Sequence, residues 1–230
     1  MQAGDTERRA GRLTRLPPGR HGLPRDFVAR NQRGRLVAGT IAVVAERGFR
    51  RATVSQISAA AGVSRRTFYT YFSSKEDCFL ATYATIVRHM REAADKAAAG
   101  AEDWPAAVAA KLGAALEVLA ANPDLARFCL IAPQRAGSEI ADRHREAMEA
   151  TADYLCEGMP PAEERAPSGA VAASLVGGMV ALVVRQVEAG KGDSLPELLP
   201  DLLEFFLAPF LGHERALGIA RGEDASKAAD

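Results

Sequence analysis

Apolar residues recur at helical spacing along most of the chain, and nowhere do they alternate in the manner of a strand. From Phe27 onward, Leu36, Val37, Thr40, Ile41 and Val44 share one face, and Gly48 supplies a stop after Arg47. Thr53-Val54-Ser55-Gln56 has the form of a capping box, opening a short helix with Val54, Ile57 and Ala60-Ala61 as its apolar positions before Gly62 breaks it. Ser64 is placed to cap a third helix, Arg65 to about Tyr71. Ser73 and Ser74, ahead of Glu76 and Asp77, cap a fourth, which runs from Lys75 to about Ala98 with Phe79, Tyr83, Ile86 and Met90 on one face.

The remainder is helical as well. Asp103-Trp104-Pro105 starts a fifth helix, ended by Asn122-Pro123, and a short sixth follows until Pro133. Ser138 to Glu157 forms a polar-faced helix closed by Gly158-Met159-Pro160-Pro161, and Ser168 to Ala189 forms another, ended by Gly190. Ser194-Leu195-Pro196-Glu197 reads as a capping box before a Leu/Phe-rich helix from Leu198 to Leu211, in which Pro200 and Pro209 are candidate kinks. The expected architecture is all-α with about nine helices. Its parts are a basic tail over 1–26, a three-helix unit with a helix-turn-helix over 27–74, a larger helical unit over 75–218, and a frayed tail over 219–230.

Composition changes this picture little until charge is placed along the chain. The 230 residues hold 29 basic and 29 acidic side chains, a net charge of zero that by itself argues against a nucleic-acid partner. Residues 1–75, however, carry 15 Lys/Arg against four acids, a net +11, so the rest carries −11. Residues 27–75 alone hold nine basic residues and one acid, so a solvated basic tail does not account for the asymmetry. An N-terminal nucleic-acid-binding module on an acidic body is the reading this favours.

Other classes recede. Three scattered cysteines (Cys78, Cys129, Cys156) do not make a disulfide framework, and imply a reducing compartment, hence a cytoplasmic protein. The longest apolar run, Ala170 to Val184, is 15 residues and ends at Arg185, short of the roughly 18–20 a bilayer requires, so no membrane partner is expected. The Arg-rich start is not followed by an apolar stretch, unlike a secretory signal. No His, Cys, Asp or Glu cluster has metal-ligand spacing, and neither a phosphate-binding loop nor a nucleophile triad is present, so no metal, cofactor or catalytic site is expected.

Chemistry is concentrated in the second and third helices, two short capped helices around a Gly-containing turn. On a wheel for the third, Phe68 and Phe72 are four apart and mark the inward face. Arg66 and Thr70 then point away, with Thr67 and Tyr69 on the flanks and Arg65 nearer the seam. Such a face suits DNA: Arg pairs bidentately with guanine, Thr donates or touches a thymine methyl, and a Tyr hydroxyl suits a phosphate.

The segment closely resembles the tetracycline-repressor (TetR) family. The matching residues are Gly48-Phe49, Thr53-Val54, Ile57, Ala60-Ala61-Gly62-Val63-Ser64, Thr67-Phe68-Tyr69, Tyr71-Phe72, Ser74-Lys75-Glu76 and Phe79-Leu80, over roughly residues 30–83. Cys78 stands where the family usually has Leu. The resemblance implies that Val63, Phe68 and Phe72 are core positions and that Ser64, Arg65, Arg66, Thr67, Tyr69, Thr70 and Tyr71 face DNA. It also implies phosphate contacts from Thr53 and Lys75, at the starts of the second and fourth helices. The tail arginines (Arg8, Arg9, Arg12, Arg15, Arg20) either follow the DNA backbone, enter the minor groove, or are inert.

One short recognition helix reads few base pairs, so a homodimer on a palindromic double-stranded operator is expected. Ala173, Gly177 and Ala181 fall four apart, as do Ala170, Ser174 and Gly178, and small residues at that spacing admit a neighbouring helix. With Leu202, Phe206 and Phe210 they either pack inside the monomer or form an interface, and the resemblance implies a four-helix dimer interface. The middle helices would enclose an apolar small-molecule effector, with His89, Trp104, Phe128, Cys129, Met148, Tyr154 and Met179 as candidate contacts. His144, inside Asp142-Arg143-His144-Arg145-Glu146, reads as part of a solvated helix face. The expected function is a ligand-released repressor, lever-operated through the fourth helix. The alternatives are a DNA-binding regulator whose body is a protein-interaction scaffold, and an all-helical enzyme with a basic surface.

Overall fold

The computed structural model describes residues 25–160 and 168–223. The tail arginines named above, and residues 224–230, lie outside the described residues. Among the described residues the chain is all-α. Helix α1 spans Arg25–Arg47, α2 Val54–Ala61, α3 Arg65–Tyr71, α4 Lys75–Ala98, α5 Trp104–Ala120, α6 Pro123–Ala126, α7 Ala132–Ala136, α8 Ser138–Cys156, α9 Gly169–Glu188, α10 Leu199–Leu211 and α11 His213–Ala220. Two compact units divide between Thr82 and Tyr83, inside α4.

The first unit therefore extends eight residues beyond the expected boundary at 74. The first two turns of α4 supply its core: Cys78 and Phe79 are fully buried, Phe79 packs edge-on to Phe49 at 5.1 Å, and the Cys78 thiol lies 3.1 Å from the Thr40 hydroxyl. Leu36 and Val44 from α1, Ile57 from α2, and Phe68 and Phe72 around α3 complete that core. Gly39 allows α1 and α2 to touch, since a Cβ there would lie 3.0 Å from the Ala61 backbone nitrogen.

In the second unit three elements depart from the sequence expectation. Pro133 does not end a helix: Pro123–Ala136 is a continuous helical run whose middle, Arg127–Ile131, is a π-helical turn. Proline cannot donate to the carbonyl four residues back and its ring crowds that carbonyl, so a widened turn accommodates it. Ser194 to Glu197 do not cap α10; they fall in a 3-10 helix, Gly192–Leu198. Pro200 sits in the first turn of α10, where its missing N–H costs nothing, and Pro209 lies inside the helix, which continues to Leu211. Finally α11 continues two residues past Gly218 into the segment expected to fray, anchored by Ala216, which is fully buried.

Helix α9 is long and apolar enough by length and composition to cross a membrane, although only a third of its apolar window is buried. Ala172, Leu175, Val176, Met179, Val183 and Val187 face the core of the second unit. Its opposite side (Val171, Ser174, Gly177, Ala181) is exposed.

Candidate nucleic-acid interface and effector cavity

In the first unit, the helix-turn-helix is held by reciprocal caps. The Thr53 hydroxyl accepts from the Gln56 backbone N–H while the Gln56 side chain accepts from the Thr53 N–H, so two orphan donors at the start of α2 are satisfied. Gly62 closes α2 in the left-handed region at φ 60°, a conformation that favours glycine. The Arg35 guanidinium, buried, reaches from α1 to the carbonyls of Ala61 and Gly62, the latter at 2.7 Å. Ser64 then caps α3 by accepting from the Thr67 N–H at 3.0 Å.

This scaffold presents Ser64, Arg65, Arg66, Tyr69 and Thr70 to solvent. Tyr69 is 51% exposed, its ring edge-on to the buried Phe68 at 5.4 Å. Thr70 donates its hydroxyl proton to the Arg66 carbonyl, which leaves it an acceptor and a methyl surface for a partner. Thr67 is half-buried, its hydroxyl 2.9 Å from that of Ser64.

Two of the expected DNA-facing residues are engaged inside the unit. Tyr71 donates its hydroxyl to Gln32 Oε1 at 2.9 Å on α1, because three residues after Phe68 it falls only about 60° from the inward direction. Lys75 donates from Nζ to the carbonyls of Phe49 and Ala52 at 3.0 and 3.1 Å and lies 4.3 Å from the Phe49 ring centroid, closing the loop between α1 and α2. Arg50 and Arg51, exposed in that same loop beside Thr53, extend the basic surface. Their position three and two residues ahead of the capping box was the sequence signal for them.

The second unit contains a cavity of about 220 Å³ bounded by α4, α5, α8, α9 and α10, with part of the π turn. Of the expected effector contacts, Cys129, Met148, Tyr154 and Met179 line it, whereas His89, Trp104 and Phe128 do not. His89 is exposed on α4. Trp104 is core: its indole N–H donates to the Leu155 carbonyl at 2.7 Å, and its ring meets Phe210 edge-on. Phe128 is fully buried outside the lining. The expected interface residues differ in exposure: Gly177 and Ala181 are exposed and Ala173 is half-buried. Leu202 and Phe206 are buried in the monomer, Phe210 packs on Trp104, and the exposed aromatic is Phe205, over Gly178.

Polar groups at the cavity are few. Tyr83, unremarked by periodicity except as a core position, pairs its hydroxyl with His144 Nδ1 at 2.7 Å. His144 is therefore buried, not on a solvated face, and burial lowers its pKa from 6.5. Burial pushes the Cys129 thiol up to about 12, so it is a protonated, inert lining group. Lys111 and Arg91 lie 4.0 and 4.2 Å from the Tyr154 ring centroid. Lys111 was legible as an isolated cation in an apolar helix.

Residues 36–82 match the family model described as "Bacterial regulatory proteins, tetR family". No curated protein matches the sequence. The fold is similar to that of FadR, the fatty acid degradation regulator from Bacillus halodurans (TM-score 0.68, 21% identity, covering 81% of this chain and 95% of that one). It is also similar to FadR from Bacillus subtilis, solved in complex with stearoyl-CoA (TM-score 0.64, 17% identity, 78% and 98%). A third is a TetR-like transcriptional regulator from Rhodococcus sp. RHA1 (TM-score 0.56, 19% identity, 78% and 95%). All three are named as regulators.

Proposed function

We propose that this chain, which belongs to the TetR family of bacterial regulatory proteins through its N-terminal domain, works as a dimeric repressor released from a palindromic operator by a small apolar ligand. The carrying observation is that one chain couples an exposed Arg/Thr/Tyr helix face to a second unit enclosing an almost wholly apolar cavity. DNA-binding regulation follows from the family; the dimer, the operator symmetry and the effector are the finer reading. The Bacillus subtilis FadR, similar in fold, was solved in complex with stearoyl-CoA, which supports an apolar effector here.

A dimer is supported by α9. A helix apolar on every side ordinarily has every side covered, yet one side of α9 is bare. A Cβ at Gly177 would meet nothing, and Phe205, 43% exposed, sits beside this face. A second copy would cover both. Helix α4, whose first eight residues belong to the first unit and the rest to the second, is the covalent route by which a ligand could bias the recognition helices. Release then equals the ligand's differential affinity for the two states.

The cavity favours this over an effector-free scaffold, which needs no such space. Selection from a randomised duplex pool tests the proposal. An inverted repeat whose affinity falls steeply with salt is expected. Equal affinity for the selected and for unrelated duplexes at physiological salt would overturn it.

A further inference from the structure

The cavity is apolar in shape but not neutral in charge. Its wall is built from side chains such as Val87, Met90, Leu112, Leu116, Met179 and Val183, and no carboxylate is among its lining residues. The charged members of the lining are Arg91 and Lys111, both cations. Arg91 is answered by Glu157 at 2.8 Å. Lys111 is different. It is 8% exposed, and among the described residues it has no carboxylate within ion-pair distance; its hydrogen-bond partner is the backbone carbonyl of Tyr154 at 2.9 Å.

That bond has a structural use, since Tyr154 lies in the last turn of α8, where carbonyls lack helical partners. A neutral donor would serve as well, as the Trp104 indole does for the next carbonyl, Leu155. Burying a full charge for this purpose is costly unless something else pairs with it. Tyr154 offers only its ring face and carbonyl, since its hydroxyl donates to Asp95 at 2.5 Å.

We infer that Lys111 is the anchor for a carboxylate, and that the effector is a long-chain monocarboxylate whose hydrocarbon tail fills the cavity while its head pairs with the Lys111 ammonium. This deepens the effector reading above and rests on it. It also separates two sources of an acyl chain. An acyl-CoA thioester is uncharged at the carbonyl that would meet Lys111.

The test is calorimetric titration of the full chain with dodecanoate, dodecan-1-ol and dodecanoyl-CoA. For the unsubstituted protein, the acid should bind roughly 10- to 100-fold more tightly than the alcohol, the range for a charge-assisted hydrogen bond in a sheltered site. Lys111→Gln keeps a donor for the Tyr154 carbonyl but removes the charge, and should erase that preference while the alcohol binds as before. Lys111→Arg should retain it. Thermal melts of both variants report whether the α8 end is intact. Equal binding of acid and alcohol, a preference that survives Lys111→Gln, or tighter binding of dodecanoyl-CoA than of dodecanoate would each overturn the inference and leave an apolar-effector cavity standing. If none of the three binds, the effector reading falls with it.

Discussion

The Arg35 guanidinium donates to the Gly62 carbonyl at 2.7 Å, tying the middle of α1 to the left-handed turn that separates the two helices of the DNA-binding motif. The angle between α2 and α3 thus depends on a buried charge in a different helix as well as on the glycine. Arg35→Met should destabilise the first unit by about 2–4 kcal/mol, because one buried and one part-buried carbonyl lose a charged donor. Gly62→Ala should cost roughly 1–2 kcal/mol, the penalty for a side chain in the left-handed region. Urea denaturation followed by circular dichroism measures both. An Arg35→Met variant as stable as the parent would mean the tie is not made in solution.

Binding and folding roles in the recognition unit separate by variant. Arg66→Ala and Tyr69→Ala remove exposed side chains, so DNA affinity should fall about 5- to 100-fold with the melting temperature little changed. Lys75→Met and Tyr71→Phe remove hydrogen bonds to Phe49, Ala52 and Gln32, so they should lower stability first and DNA affinity only in consequence. Fluorescence anisotropy with a selected duplex, beside melts of the same samples, distinguishes the two patterns. Loss of binding without loss of stability in Lys75→Met would return that residue to direct phosphate contact.

The contrast shows what a helical wheel can and cannot deliver. The Thr53 capping box, the Ser64 cap, the Gly62 stop and the inward Phe68 and Phe72 were legible because each depends on a local interaction within four residues. The engagement of Tyr71 with Gln32, 39 residues away, and of Lys75 with the α1–α2 loop depends on how helices assemble, which periodicity does not encode. The same limit governs the second unit. Trp104, Phe128 and Met179 look alike as apolar residues on helices, yet only Met179 borders the cavity, because that is decided by which helix faces which. His144 shows the reverse error. Four charged neighbours in sequence suggested solvent, but they leave along the other sides of α8 while His144 turns to Tyr83.

The proposed dimer face makes a prediction that turns on one position. Phe205 is 43% exposed and Phe206 fully buried. Phe205→Glu should leave a folded monomer, whereas Phe206→Glu should abolish folding by placing a charge in the core. Gly177→Leu projects into open space in the monomer and should likewise separate the copies without loss of secondary structure. Sedimentation equilibrium reads the outcome. A Phe205→Glu chain that remains dimeric would move the interface elsewhere.

The Tyr83–His144 pair couples the cavity wall to pH. The Tyr83 hydroxyl and His144 Nδ1 share a hydrogen bond at 2.7 Å, and burial favours the neutral ring. Because the folded-state pKa lies below the unfolded value near 6.5, the unfolded chain takes up the proton first as pH falls. The contribution to stability is therefore complete above about pH 7 and declines from there toward the lowered pKa. His144→Phe keeps the ring volume, removes the titrating group and takes away the His144 partner of the Tyr83 hydroxyl. It should be less stable than the parent at pH 8 but lose less stability between pH 7.5 and 5.5. Urea midpoints across that range test the difference in slope, and parallel curves for the two proteins would show that His144 does not titrate differently on folding.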